Sequence, residues 1–399
     1  MNNIMHYFIS ILGIIIVLAI AWGISNKKKS IRYQPILIMI LGQLLLTWFM
    51  LGTTVGLNSI QFVSGGFAKL IDYAKTGVDF VVGGWVPAGG VPFFVTALMP
   101  IIFTSALLSL LNHIKILPIV IKYIGGFVSK ATGLPKVESF NAVNSVFFGQ
   151  SEALLAIKNH LPKMEKNRLF IVCLSAMSSV SASIIASYMT IIPAEYVLSG
   201  MMLNMLGGLI IGSIAAPIEK ETVKDEAIKI DELVTTNNVF DAISAGALDG
   251  GKVVLIVSAM LVAYLGLLDL LDGIVSAIAG ISMTNILGYV FSPIAFIMGI
   301  PANETLQAGS VMATKLLANE FAAILKFQPM MEKLSARTIG IVSTFLTSFG
   351  AVGSIGIISG TIQAIDGAKA KEVSKFGLKM LLASILVSIL SGTIVGLFL

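Results

Sequence analysis

Charged side chains are scarce in this chain. Asp, Glu, Lys and Arg make up 12% of the 399 residues, whereas hydrophobic residues make up 56% and the mean hydropathy is +0.94. A soluble domain of this length needs a polar exterior, so the composition excludes one and indicates a polytopic membrane protein. The net charge of +5 comes from Lys and Arg clusters in short loops, which is a topology signal and not a nucleic-acid-binding surface.

Cysteine and histidine are also rare. Cys173 is the single cysteine, which excludes an internal disulfide. His6, His113 and His160 lie far apart in sequence and form no local metal-ligand motif. The first apolar run is long and no A-x-A-like site follows it, so no cleavable signal peptide is expected. The sequence predicts no cofactor.

Apolar runs and the cations between them predict an all-α protein with about eight transmembrane helices. Lys27, Lys28, Lys29 and Arg32 follow the first run, which places that loop in the cytoplasm and both termini outside. Three further stretches, residues 60–82, 114–132 and 272–287, are predicted to be interfacial, and residues 83–92 are predicted to be a loop. The predicted spans are residues 8–22, 35–56, 93–112, 169–192, 196–216, 253–271, 338–365 and 377–399.

Two short polar stretches interrupt the apolar chain, Gly149-Gln150-Ser151-Glu152 and Asn319-Glu320. In each stretch a Lys follows the Glu by six residues, so the two Glu and the two Lys share one offset in residue number (320 − 152 equals 326 − 158). A charge at membrane depth costs roughly 2.5–3.5 kcal/mol, and the apolar runs beside Gly149 are too short to cross a bilayer. This pattern predicts two re-entrant hairpins in a transporter built from inverted repeats.

Two other interpretations of these stretches remain open from the sequence. The polar residues could be loop residues at the ends of short helices, although loop residues need not repeat at a constant spacing. Glu152 and Glu320 could instead be the general acid and base of an intramembrane enzyme. The sequence supplies no obvious nucleophile or metal for such an enzyme.

Two later segments are rich in serine or glycine. Ser179-Val180-Ser181-Ala182-Ser183-Ile184 lies in the fourth predicted span, and residues 350–356 lie in the seventh. Ser183 and Ser354 match at a similar offset in residue number (354 − 183). We expect unwound segments here, whose carbonyls and hydroxyls could bind Na⁺. Close packing of small residues is the alternative.

At these residues the chain resembles the concentrative nucleoside transporters, specifically bacterial nucleoside permeases. Gly149-Gln150-Ser151-Glu152 is similar to their G-Q-[ST]-E hairpin, and residues 175–181 are similar to the helix that follows it. Asn319-Glu320-Phe321 resembles their second hairpin, and Ser354-Ile355-Gly356 resembles their broken seventh helix. The resemblance extends from about residue 8 to the end.

The resemblance implies a homotrimer in the cell membrane, in which a transport domain moves like an elevator against a scaffold. It implies that residues 1–137 and 251–289 are scaffold and interfacial helices, residues 138–217 and 290–399 the two transport-domain repeats, and residues 218–250 a cytoplasmic linker. The implied substrate-binding residues are Gln150, Ser151 and Glu152 at the nucleobase, Ile184 and Phe349 as apolar walls, and Glu320 and Ser354 at the ribose. Asn319, beside Glu320, is also expected to bind the substrate. The implied Na⁺ ligands are Ser145, Phe148, Ser179 and Val180.

Three positions depart from the family pattern. Ala351 replaces an Asn that bacterial relatives tend to carry, which removes a polar group at the ribose end. Ala302 replaces a Trp, and Ser145 replaces an Asn that is common in sodium-coupled members. Both Na⁺ and H⁺ therefore stay open as the coupling ion.

The function predicted from these observations is secondary active import of nucleosides, driven by a cation gradient. The alternative in the same class is a carrier for another small polar solute, such as a modified nucleoside or a base. An intramembrane enzyme or lipid-handling protein is the alternative from a different class.

Overall fold

The computed structural model describes residues 3–85, 92–219, 228, 230–234 and 236–399. These residues form seventeen α-helices and, within the described ranges, no strand. In chain order the helices are α1 (Asn3–Gly23), α2 (Tyr33–Gly52), α3 (Thr54–Val82), α4 (Pro100–His113), α5 (Ile116–Thr132), α6 (Lys136–Phe147), α7 (Gln150–Ala156), α8 (Lys166–Ser178), α9 (Ala182–Tyr188), α10 (Ala194–Ala215), α11 (Val239–Ala279), α12 (Met283–Ile297), α13 (Thr305–Leu317), α14 (Glu320–Phe327), α15 (Ala336–Leu346), α16 (Val352–Ile365) and α17 (Gly367–Gly396).

Seven helical segments in the described residues are long and apolar enough to cross a membrane. They correspond to seven of the eight predicted spans, and the eighth, residues 338–365, consists of the shorter apolar helices α15 and α16. The apolar part of residues 166–188 is entirely buried, whereas only 11% of that of α11 is buried. The α8–α9 segment therefore lies inside the protein, and α11 presents an apolar surface to its surroundings.

The helices α6–α10 and α13–α17 follow the same order: a helical hairpin, a broken helix and one long helix. The starts of α7 and α14, of α8 and α15, and of α9 and α16 are separated by the same offset in residue number (320 − 150, 336 − 166 and 352 − 182). Pairing the repeats by similar side chains gave the offsets 320 − 152 and 354 − 183, which differ from the offset of the helix starts by two positions and by one. Those pairings of residues are therefore wrong. By helix position, Glu320 corresponds to Gln150, and Gly353 corresponds to Ser183.

Both broken helices are interrupted, but the second break lies earlier than predicted. The chain is extended at Ser179 and Ser181, between α8 and α9. In the second half the helix stops at Leu346 and restarts at Val352, so Gly353, Ser354 and Gly356 are helical. The break was predicted at residues 350–356 because of their glycines. Glycine is a poor guide here, because membrane helices tolerate it where their neighbours pack closely.

The helix α11 is one continuous helix of 41 residues. It begins after Asn238, whose side chain accepts a hydrogen bond from the Asp241 amide, so the last part of the predicted linker 218–250 is helical. It ends at Gly280, where φ is +70°, and α12 begins at Met283, so residues 272–287 are not a single interfacial segment. The positive charges of Lys369, Lys371, Lys375 and Lys379 also predict a cytoplasmic loop between the last two spans. These four residues lie instead within a helix, α17.

Two other predicted segments are only partly testable. The stretches 60–82 and 114–132 are helical, as parts of α3 and α5, and their position relative to the membrane stays a prediction. Of the predicted loop at residues 83–92, residues 83–85 form a short 3-10 turn. Residues 86–91 of that loop lie outside the described residues, as do residues 220–227, 229 and 235 of the linker.

Three segments that the charge pattern assigns to the cytoplasm meet on one face of the protein. The Lys27 ammonium lies 2.9 Å from Glu219 Oε1, which joins the α1–α2 loop to the start of the linker. This hydrogen bond lowers the pKa of the Glu219 carboxyl. Lys379 of α17 donates to Asn26 at 2.5 Å and to the Ala215 carbonyl at 2.8 Å. The three segments therefore lie on the same side of the protein.

Candidate functional site

Each hairpin consists of two helices that meet at a two-residue connection. In hairpin 1, α6 ends at Phe147, and Phe148 and Gly149 are extended before α7 begins. In hairpin 2, Ala318 and Asn319 join α13 to α14, and the Asn319 side chain accepts a hydrogen bond from the Ala322 amide at 2.8 Å. The side-chain oxygen of Asn319, Oδ1, thus caps α14, and the side-chain NH₂ group remains for a solute.

The bases of the hairpins are fixed to the broken helices by buried carboxylates. Arg168 of α8 donates two hydrogen bonds to Glu138 of α6, at 2.5 and 2.9 Å, and Glu138 is completely buried. In the second half Glu304 accepts hydrogen bonds from the Ser335 amide at 3.1 Å and the Ser335 hydroxyl at 2.7 Å. These contacts hold each hairpin base on the helix that carries the break.

At the tip of hairpin 1 a carboxylate occupies the space that a side chain at position 149 would need. A Cβ atom on Gly149 would lie 2.5 Å from Glu152 Oε2. Any other residue at 149 would therefore displace the Glu152 carboxylate. The chain places this carboxylate against its own hairpin tip.

The two hairpin tips and the two helix breaks converge on one cavity of about 560 Å³. This volume is typical of sites for small molecules. All eight residues predicted to bind substrate line it: Gln150, Ser151, Glu152, Ile184, Asn319, Glu320, Phe349 and Ser354. The tertiary structure brings these residues together from both halves of the chain, and their individual roles stay predictions.

Within the cavity some of the polar groups are already engaged. Ser354 donates its hydroxyl hydrogen to the Phe349 carbonyl across the second break, so toward a solute it can only accept. Ser181 and Ser183 share a hydrogen bond of 3.0 Å at the first break. The Ser151 hydroxyl lies 2.9 Å from Thr361 of α16. The carboxylates of Glu152 and Glu320 take part in no ion pair of 4.0 Å or less among the described residues.

Part of the cavity wall was missed by the sequence reasoning. Asp249 and Lys252 of α11 line the cavity and form an ion pair of 2.9 Å. The sequence reasoning assigned this region to the linker and the start of a scaffold helix. Two charges three residues apart, just before a long apolar run, were the signal that could have indicated a helix entering the site.

The four residues predicted to bind a cation occupy less accessible positions. Phe148 lines the cavity, whereas Ser145, Ser179 and Val180 are buried behind it. Ser145 donates to the Asn141 carbonyl at 2.7 Å. Within the described protein, the hydroxyl of Ser179 has no hydrogen-bond partner. An orphaned buried hydroxyl beside an unwound segment fits a site for a monovalent cation bound by neutral oxygens.

Sequence comparison covers almost the whole chain. The model for the N-terminal part of the Na⁺-dependent nucleoside transporters matches residues 12–85, and that for the C-terminal part matches residues 196–396. Between them, residues 94–195 match a gate domain described as nucleoside recognition. The chain belongs to the concentrative nucleoside transporter family.

Several bacterial members of the concentrative nucleoside transporter family are similar over their full length. The purine nucleoside transport protein NupG of Bacillus subtilis is 37% identical over 396 residues, which covers 99% of this chain and 100% of NupG. The nucleoside permease NupC of Helicobacter pylori is 31% identical over 409 residues, covering 98% of this chain and 97% of NupC.

The solved structures of the concentrative nucleoside transporter CNTnw have the same fold. An inward-facing, substrate-bound structure superposes with a TM-score of 0.93 and 30% identity, covering 100% of this chain and 98% of CNTnw. A substituted, outward-facing form gives a TM-score of 0.92. The all-helical, elevator-type fold predicted from the sequence is confirmed. The chain is a multi-pass transporter, and the interpretation as an intramembrane enzyme is excluded.

Proposed function

We propose that this transporter imports nucleosides together with a cation, by alternating access of the cavity between the two hairpins. The observation that carries the proposal is the convergence of both hairpin tips on one cavity, since each tip supplies a carboxylate and an amide. A nucleoside presents many hydrogen-bonding groups on a base and a sugar. A site with polar groups from two sides suits such a solute.

For the nucleobase we propose Gln150, Ser151 and Glu152 of hairpin 1. The Gln150 amide can both donate and accept, as the edge of a base does, and the Glu152 carboxylate can accept from an exocyclic or ring N–H. Ile184 and Phe349 line the cavity from the two helix breaks and give the base apolar contact and an aromatic face.

For the ribose we propose Asn319, Glu320 and Ser354. A carboxylate can accept from two neighbouring hydroxyls, which matches a ribose diol, and Ser354 can accept because its own hydrogen is used within the break. Ala351 offers no polar atom at this end. That departure favours, as the second candidate, a solute with a different sugar end.

For the coupling ion we propose Na⁺, held by Ser145, Phe148, Ser179 and Val180. The family model that matches half of the chain describes Na⁺-dependent transporters, which supports this choice. Phe148 follows the last residue of α6 and directly precedes Gly149 and Gln150, so a cation bound to its carbonyl orders the residues that contact the solute. The two ligands then strengthen each other's binding, by equal factors because linkage is reciprocal.

We also propose the assembly and the motion that the family suggests. In this proposal the chain forms a homotrimer in the cell membrane with both termini outside, and residues 138–217 and 290–399 move against residues 1–137 and 251–289. The complete burial of the apolar part of residues 166–188 supports a moving unit with its own core. The exposed apolar surface of α11 supports a scaffold element that meets lipid or another copy.

Uptake into proteoliposomes tests the proposal. Labelled uridine or adenosine should accumulate unchanged when Na⁺ is high outside, and should only equilibrate when K⁺ replaces Na⁺ on both sides. A competition panel of nucleosides, bases and pentoses then identifies which part of the solute is recognised. If no nucleoside competes with a solute that the protein does accumulate, nucleosides are not its substrates, and only the assignment of the fold stands.

A further inference from the structure

Lys315 is a buried cation inside the second repeat. It lies on α13, near the tip of hairpin 2, and is 1% exposed. Its ammonium donates to the Phe345 carbonyl at 2.5 Å, to the Ser348 hydroxyl at 2.6 Å and to the Ser388 hydroxyl at 3.1 Å. The same nitrogen lies 4.3 Å from the centre of the Phe345 ring. All three N–H groups therefore have an oxygen partner.

The surroundings of this ammonium are those of a bound alkali-metal ion. Its partners are one backbone carbonyl, two hydroxyls and an aromatic face, and none of the ion pairs in the described part of the chain includes Lys315. Glu320 acts on this ammonium electrostatically but forms no ion pair of 4.0 Å or less with it. A buried charge without a contacting counter-ion is costly unless its partners replace the lost water, as the three oxygens do here.

The repeat register relates this cluster to the proposed cation site of the first half. The offset between the helix starts (320 − 150) brings Lys315 onto Ser145 (315 − 145). The same offset brings Ser348 onto Ser178 and Phe345 onto Ser175 (348 − 178 and 345 − 175). By this register, Lys315 and its two partners, Phe345 and Ser348, are the counterparts of Ser145 and of two residues at the end of α8.

The two repeats differ in how these positions are satisfied. In the first repeat the hydroxyls of Ser175, Ser178 and Ser179 are buried without a hydrogen-bond partner within the described protein. In the second repeat the Phe345 carbonyl, near the end of α15, and the Ser348 hydroxyl, in the break after it, accept hydrogen bonds from Lys315. The first repeat thus has the short side chain of Ser145 and unsatisfied oxygens near it in register. The second repeat has the long cationic side chain of Lys315, which satisfies the corresponding oxygens.

We propose that Lys315 is a resident cation, covalently tethered in the second-repeat counterpart of the exchangeable cation site. It holds the tip of hairpin 2 on the α15–α16 break in every state of the transport cycle, so only hairpin 1 responds to the cation concentration. The inference rests on the proposed function in one respect, namely that Ser145 belongs to a cation site. Replacing Lys315 by the residue of the first repeat should then create a second exchangeable site.

The first experiment compares Lys315→Ser with Lys315→Met in purified protein prepared in NaCl. Tm is measured while NaCl replaces choline chloride at constant ionic strength. We expect Lys315→Ser to have a lower Tm than the unmodified protein in choline and to regain most of it in NaCl. Lys315→Met should be destabilised and gain no more from NaCl than the unmodified protein, because a methionine leaves no room or ligand for an ion.

A matched control is available on the same hairpin. Lys326 of α14 donates to the hydroxyls of Ser310 at 2.7 Å and Thr314 at 3.3 Å, both on α13, and within the described protein it makes no hydrogen bond to the α15–α16 break. Lys326→Ser should therefore gain no additional stabilisation from NaCl. Equal responses of Lys315→Ser and Lys315→Met, a failure of Lys315→Ser to fold in NaCl, or the same gain in Lys326→Ser would each overturn the proposal.

The second experiment exchanges the roles of the two repeats. Ser145→Lys should bind solute with an affinity that no longer depends on NaCl, whereas in Lys315→Ser the Hill coefficient for Na⁺ should rise from about 1 to about 2. The unmodified protein separates this inference from the proposed function. If its solute binding ignores Na⁺, the proposed coupling fails, whereas a Na⁺-specific gain in Lys315→Ser would still support the tethered cation.

Discussion

Ser151 and Thr361 join the tip of hairpin 1 to the second repeat, since their hydroxyl oxygens lie 2.9 Å apart although the residues are 210 positions apart in the chain. The Thr361 hydroxyl also lies 2.9 Å from the Ile357 carbonyl of its own helix. One hydroxyl contact therefore couples the proposed nucleobase end of the cavity to α16, which begins directly after the second break and carries Ser354 near its start. Ser151 is oriented from outside its own repeat.

Thr361→Val should weaken solute binding without unfolding the protein. The variant keeps the shape of the side chain but removes the partner of Ser151, and a neutral hydrogen bond contributes about 0.5–1.5 kcal/mol, which is about two- to tenfold in affinity. Equilibrium binding of a labelled nucleoside measures the effect. Thr361→Ser retains the hydroxyl and should bind as the unmodified protein does; equal affinity in Thr361→Val would show that Ser151 needs no orientation.

Glu152→Gln and Glu320→Gln should each lose most transport while the protein still inserts into the membrane. A hydrogen bond to a charged group is worth about 1.5–3 kcal/mol, or roughly ten- to hundredfold in affinity. Uptake of a labelled nucleoside into proteoliposomes is the measurement. Glu332→Gln is the control, because Glu332 is exposed and outside the cavity. Normal uptake by either cavity variant would remove that carboxylate from the proposed site.

Ala351→Asn should sharpen the preference for ribonucleosides over 2′- and 3′-deoxynucleosides. A site that lacks a partner for a hydroxyl discriminates weakly against analogues that lack the hydroxyl, and one new neutral hydrogen bond adds up to about 1.5 kcal/mol. The ratio of inhibition constants for ribo- and deoxynucleosides measures this preference. Strong discrimination in the unmodified protein, unchanged in Ala351→Asn, would mean that another residue bonds the sugar.

Glu138→Gln should destabilise the protein strongly, because it leaves Arg168 charged and buried. Removing one partner of a buried ion pair costs about 3–5 kcal/mol. Asp72→Asn is the matched control: Asp72 pairs with Lys75 at 2.9 Å, but both side chains are more than half exposed, so the change should cost little. Thermal unfolding of the purified variants tests the difference. Similar Tm values for the two variants would contradict a structural role for the Glu138–Arg168 pair.

Single cysteines at Lys28 and Lys371 should react with an impermeant thiol reagent from the cytoplasmic side only. Both residues are exposed, and both belong to segments that the positive charges assign to the cytoplasm. The background is Cys173→Ser, since the native thiol is buried and is the single cysteine. Labelling of either position in intact cells would place it outside and reverse the proposed orientation of the termini.

The local properties of the sequence determined most of the helices and both hairpins. A span is recognisable because twenty apolar residues in a row have few alternatives in lipid, and a hairpin is recognisable because the apolar runs beside Gly149 are too short to cross. The hairpin predicted around Gly149 has its observed connection at Phe148 and Gly149. These features depend on neighbours in the chain.

Other features were decided by contacts between distant segments. The sequence paired Glu152 with Glu320 because their side chains are alike, whereas the helix starts pair Gln150 with Glu320, because the register is set where each helix is capped and packed. Asp249 and Lys252 join the cavity only because α11 packs against α4 and passes the hairpins. Lys315 reads locally as one cation near a hairpin tip, and its oxygen partners lie 30 to 73 residues away. Hydropathy could not indicate such an environment, because it averages over neighbours in the chain while a buried charge is stabilised by whatever the fold brings to it.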